Sequence, residues 1–301
     1  MSKLILCTVG TSVFDSTKFV NSKDINRISK KIEEINDALK DPEASLDEAI
    51  KELASDKVLV EEMLAYLLGR LRSCLGGTRE YQESLPAEIS SLLAMGRYRE
   101  EEDVFKYGPV TAEDHVWLLS SDSPEGAFSA YLAGALIRAG WLDGKIEYTS
   151  DDSVLKDFLF PSVPDGPREY EFHETNIKIK RISGLKISDT RTFRQGMESL
   201  KTVIYESVGK LSEVSHRLLN FTGGYKAVVP LANLLCWNTG FTTFYLHENG
   251  YEMILFEPPA GNTFSVSATK IMSIIEGSKS AGREGQQYKD HSQEGDERRR
   301  M

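Results

Sequence analysis

The sequence predicts an α/β protein: a mostly parallel sheet with helices on both faces, an antiparallel hairpin at one edge, and an α-helical insertion. Three observations predict it. Short apolar runs at residues 3–9, 115–119 and 216–221 each end in a turn rich in glycine or hydroxyl side chains. Such runs suit strands buried on both faces of a parallel sheet. Apolar helical stretches follow two of these turns, at 127–137 and 227–235. Asn249-Gly250 joins two further strand-like segments, 242–247 and 251–256, as a hairpin turn does.

Composition narrows the function classes. A chain of 301 residues with 40% hydrophobic and 9% aromatic content is long enough for one large domain or two ordinary ones. A formal net charge of −10 and a pI of about 5.2 argue against broad, non-specific DNA or RNA binding, though not against a small local anion pocket. No run of 18 apolar residues occurs, and strand-like Leu4-Ile5-Leu6 stands where a signal peptide would. A cytoplasmic location without membrane association is the expectation. Three scattered cysteines, Cys7, Cys74 and Cys236, read as reduced core thiols, and five histidines show no metal-ligand spacing. No cofactor or metal is expected.

The elements follow in order. Residues 3–9 form the first strand and run into Gly10-Thr11-Ser12, which either lines a sheet edge or merely caps the next helix. Ile25, Ile28, Ile32, Ile35 and Leu39 recur at helical spacing, as do Leu59, Met63, Tyr66, Leu67, Arg70 and Leu71; Asp41-Pro42 separates the two helices. A third helix covers 86–95. Residues 24–102 therefore read as a helical insertion, too long for a simple crossover. The second strand, 115–119, ends in Ser120-Ser121-Asp122-Ser123 before a helix rich in small residues.

Residues 145–149 read as a short strand, Asp151-Asp152 as a solvated turn, and 160–167, with three prolines, as a loop. The alternation over 175–187 predicts an exposed or edge strand. Asp189 or Thr190 then caps a helix whose core stripe includes Phe193, Met197, Leu200 and Ile204. Residues 263–275 fit a last strand or a short helix, and the polar stretch 277–301 is expected to be disordered.

The strand at 216–221 ends in Thr222-Gly223-Gly224-Tyr225-Lys226. In an open α/β sheet, ligands bind at the carboxyl ends of strands, where helix N–H groups point at anions. Two glycines let backbone approach a phosphate, Lys226 adds a charge in the first helical turn, and Thr222 caps or donates. The plainer reading is a strand-to-helix turn with a solvated lysine. Pro230 removes the N–H that would bond the Lys226 carbonyl, which leaves that turn loosely tied. The spacing is not that of a Walker A loop. Three such turns on one edge point to a crevice for a phosphate or nucleotide.

Leu4 to Ser12 (LILCTVGTS), Leu219 to Pro230 (LNFTGGYKAVVP), Phe244 to Glu248 (FYLHE) and Ile254 to Pro259 (ILFEPP) together resemble the CRISPR-associated Rossmann-fold family, the CARF domains. The resemblance covers 1–23 and roughly 113–260. It implies a Rossmann-like domain formed by 1–23 and 103–276, interrupted by the insertion 24–102 and followed by the tail 277–301. It further implies a homodimer whose paired sheet edges bind cyclic oligoadenylate, since a two-fold pocket suits a ring of repeated nucleotides. Many members carry a ribonuclease domain; the chain after residue 260 is too short for one, which points to the ring nucleases that cleave the messenger in the binding pocket. In that subgroup Ser12 and Lys226 match the residues tied to cleavage. Gly10, Thr11, Ser120, Ser121, Asp122, Thr222, Gly223, Gly224 and Tyr225 would line the ligand. The expected reaction is metal-independent cleavage; no carboxylate or histidine is obviously placed as a base, so turnover should be slow. The alternatives are a non-catalytic sensor signalling through the insertion to a partner, and an effector activity within 24–102 itself.

Overall fold

The structure, a computed structural model, describes residues 2–14, 26–40, 46–75, 85–97, 107–141, 158, 168–172, 175–185, 190–224, 228–246 and 253–258. The readings placed on 145–149, 151–152, 160–167, 248–250, 263–275 and 277–301 lie outside these residues, as do Tyr225 and Lys226.

Seven strands form one sheet: β1 (Lys3–Thr8), β2 (His115–Ser120), β3 (Arg168–Glu171), β4 (Ile177–Arg181), β5 (His216–Asn220), β6 (Thr242–Leu246) and β7 (Met253–Phe256). Their order is β3-β4-β2-β1-β5-β6-β7. The five central strands run parallel, and an antiparallel strand closes each edge. Every residue of β1 is buried, as expected for a strand with helices on both sides.

Seven α-helices are described: α1 (Asn26–Lys40), α2 (Leu46–Ser55), α3 (Lys57–Leu75), α4 (Ala87–Arg97), α5 (Pro124–Trp141), α6 (Thr190–Lys210) and α7 (Val229–Asn238). Ile5, Cys7 and Val9 alternate along the chain onto one face of the sheet, in a single apolar cluster with residues of α1 to α5. The core of the helices between β1 and β2 is thus continuous with that of the sheet. Trp117 and Lys180 turn to the other face, where the lysine reaches Glu206 of α6. Helix α7 packs on α6 and β6.

The structure corrects the sequence pattern in three places. Residues 46–75 hold two helices rather than one, because Asp56 starts a new one: its carboxylate accepts the Leu59 N–H at 3.0 Å. The alternation over 175–187 predicts an exposed or edge strand, yet β4 lies inside the sheet with β3 outside it. Its polar appearance comes from Lys178 and Lys180. Lys180 is only 2% exposed at its side chain, paired with Glu169 and Glu206 and set over the Trp117 ring. A charge so buried needs such partners. Third, α7 begins at Val229, with Val228 at its N-cap position. Pro230 stands at the start of the helix, where a missing N–H leaves no hydrogen bond unmade.

Candidate functional site

Strand order fixes where a ligand site belongs. From β1 the chain moves to β2 and then β4 on one side, then returns to β5 and β6 on the other. The order therefore reverses between β1 and β5, and the crevice outside their carboxyl ends is the expected binding place. The turns after those two strands meet there.

Gly10 and Gly224 touch backbone to backbone. A Cβ added at Gly10 would stand 2.8 Å from Gly224 N, so no side chain fits. Gly224 itself adopts φ +91°, and a Cβ there would lie 2.7 Å from that of Thr8. Thr8 locks the contact from below: its hydroxyl donates to the Gly223 carbonyl at 2.5 Å. The β5 turn is shaped by Asn220, whose side-chain oxygen accepts the Thr222 N–H at 3.1 Å, an Asx turn. The Asn220 amide donates to Ser91 of α4 at 2.7 Å and to the Cys7 thiol at 3.2 Å.

A cavity of about 160 Å3 opens beside these turns. Thr11 and Gly224 border it, with Ser121 from the turn after β2 and Glu125 from the start of α5. Leu119, Leu185, Leu200 and Val228 make its walls apolar. Gly10, Thr11, Ser121 and Gly224 are thus brought together as the three-turn pattern predicts.

Other candidates are engaged elsewhere. Asp122 accepts from Arg181 Nε at 2.9 Å and from the Gly184 N–H at 2.9 Å, which pins the turns after β2 and β4 to each other. Ser120 is fully buried, and its hydroxyl finds no hydrogen-bond partner among the described residues. The Thr222 hydroxyl accepts the Leu246 N–H at 2.9 Å and so ties β5 to β6 instead of capping α7.

The residue that sequence reasoning misses is Glu88, in the first turn of α4 and 1% exposed. Its Oε1 accepts the Gly10 N–H at 2.5 Å, and the Ser12 hydroxyl donates to its Oε2 at 3.4 Å. The Ser12 oxygen in turn accepts the Ala87 N–H at 3.2 Å. A Cβ on Gly223 would overlap the same carboxylate. The Cys7 thiol below is pushed well up by burial and by the Glu88 charge, against the Asn220 hydrogen bond, so it stays protonated. A signal for Glu88 did exist. It is the sole charged residue between Leu85 and Gly96, and a carboxylate in so apolar a helix must be buried against donors.

The arrangement holds the Glu88 carboxylate against Gly10 and Gly223, beside an apolar cavity. The class it defines is an open, mostly parallel α/β domain with a candidate site at the switch point. The chain belongs to a CARF-type family of CRISPR-associated proteins, described as CRISPR-associated protein (Cas_APE2256), whose model matches residues 83–259. The match takes in α4 and the strands from β2 to β7. No curated protein matches the chain. Among the described residues, no helix is long and apolar enough to cross a membrane.

Proposed function

We propose that this chain binds a cyclic oligoadenylate, with cyclic tetra-adenylate the first candidate, in the shared pocket of a homodimer, and cleaves it without a metal. The observation that carries the reading is the meeting of the Gly10 and Gly224 turns at the β1/β5 switch point, beside a cavity with apolar walls. Membership of a CRISPR-associated family agrees with a role in CRISPR defence.

In the proposed reaction a ribose 2′-OH attacks its own 3′-phosphate. The 2′-oxygen-to-phosphorus bond forms, the bond to the neighbouring 5′-oxygen breaks, and the proton ends on that 5′-oxygen. The product is linear, with a 2′,3′-cyclic phosphate at one end. Ser12 would orient the phosphate or the attacking hydroxyl, and Lys226 would stabilise the charge that builds up. Backbone N–H groups of Gly223 and Gly224 would complete the anion hole. Holding the reacting atoms in line and meeting that charge can supply several orders of magnitude without a general base.

A second reading, a non-catalytic sensor, draws on one observation: Glu88 ties α4 directly to both glycine turns. The helices of 24–102 would then carry the binding event to a partner. Incubation with radiolabelled cyclic tetra- and hexa-adenylate in EDTA separates the readings. Conversion to linear di- or tri-adenylate with a cyclic phosphate end supports the nuclease, and tight binding of an intact ring supports the sensor. Absence of binding rejects both.

A further inference from the structure

The Glu88 carboxylate occupies the place a ligand phosphate would take. It touches the Gly10 N–H, the Ser12 hydroxyl and the face of Gly223, and the proposed function assigns the latter two to the phosphate or its neighbours. Two anions cannot share one hole: at this range a like charge costs a phosphate heavily, and burial raises the cost. We propose that Glu88 is a specificity-determining residue, a built-in competing anion that excludes free phosphate and mononucleotides. This inference rests on the phosphate-binding reading of the site.

The reasoning is one of competition. A small anion gains only the contacts that Glu88 already makes, so it exchanges one anion for another and must also leave the carboxylate to find new partners. A ligand with several phosphates and bases gains further contacts, including the cavity beside Gly224 and Thr11, and those offset the displacement. Displacement also has a mechanical result. When the carboxylate leaves, Ser12 loses its acceptor and becomes free to turn to the ligand. The first turn of α4 loses its tie to Gly10 at the same moment. Because α4 packs on α5, β6 and β7, that release reaches the helical layer and the far edge of the sheet. Selection of ligand and exposure of Ser12 are then one event.

The test compares wild-type protein with Glu88→Gln, which keeps the shape and a carbonyl oxygen for the Gly10 N–H but removes the charge. Thermal stabilisation is titrated with inorganic phosphate, AMP and cyclic tetra-adenylate. Glu88→Gln should respond to phosphate and AMP at concentrations at least about tenfold lower than wild type, narrowing the preference for the cyclic ligand. Equal phosphate midpoints in the two folded proteins would overturn the inference, whatever the cyclic ligand does. A gain in phosphate binding with no binding of cyclic tetra-adenylate would keep Glu88 in this role and reject the proposed ligand. Should Glu88→Gln fail to fold, hydrogen exchange over residues 85–97 of the wild-type protein reads the same displacement. Faster exchange with cyclic tetra-adenylate supports the inference, and unchanged exchange in the complex overturns it.

Discussion

Gly10 and Gly224 stand against each other across the β1/β5 boundary, with room for hydrogen alone between them. A methyl group at Gly10 would meet the backbone nitrogen of Gly224 at 2.8 Å, and backbone cannot swing aside as a side chain can. Gly10→Ala should therefore part the two turns and cost about 1–3 kcal/mol of stability. Urea unfolding checks the cost. Ligand affinity should fall further than that of Gly209→Ala, where an added Cβ meets nothing within 4 Å.

Asp122 is expected to act as a clamp. Arg181, with 6% side-chain exposure, pairs with it at 2.9 Å. Asp122→Ala leaves that guanidinium without its carboxylate and the Gly184 N–H without an acceptor. A loss of about 1–3 kcal/mol is expected by urea unfolding, discounted because Asp122 is partly exposed. Ser121→Ala, one residue earlier at the cavity, should change stability by less than about 0.5 kcal/mol.

Lys180 predicts a pH dependence. Burial pushes the Glu169 carboxyl up, but the hydrogen bond and charge of Lys180, with Lys178 behind it, outweigh that and leave it below its ordinary value. A carboxyl depressed in the folded state adds stability that is fully present above the unfolded pKa. That stability is lost as pH falls through the depressed folded value. Wild-type stability should thus decline on the acid side. Lys180→Met, which keeps the packing on Trp117, should show a shallower decline between neutral pH and pH 3 by urea unfolding. An identical slope would show that the ion pair contributes nothing to acid sensitivity.

Much of the fold is legible in the sequence because the central parallel strands carry short buried apolar runs and end in recognisable turns. Leu4 to Leu6, Val116 to Leu119 and Leu218-Leu219 show this directly. What escapes is what depends on distant partners. β4 looks like an edge strand because the neutralisation of Lys180 comes from Glu169 and Glu206, both outside the alternating pattern itself. Asp122 looks like a ligand residue because nothing nearby reveals Arg181, 59 positions later. The site is legible in its glycines, which only a close approach requires. Glu88 escapes because it lies 78 positions from Gly10, and a lone carboxylate in an apolar helix does not name its donors.

The chemistry assigned to Ser12 and Lys226 gives a graded expectation. Ser12→Ala should slow cleavage of cyclic tetra-adenylate about 10–100-fold, the scale of one orienting group. It should also remove a hydrogen-bond acceptor for the Ala87 N–H, at about 1 kcal/mol of stability. Turnover measured on folded protein separates the two effects, and addition of EDTA should change neither rate.

The most direct measurement is single-turnover cleavage of radiolabelled cyclic tetra-adenylate by wild-type protein and Lys226→Ala, in EDTA, with binding measured on the same samples. The account predicts a linear product with a 2′,3′-cyclic phosphate from wild type. Lys226→Ala should bind within about tenfold of wild-type affinity and cleave at least 100-fold more slowly, the scale of a lost charge-stabilising group. Undiminished cleavage by Lys226→Ala would contradict it.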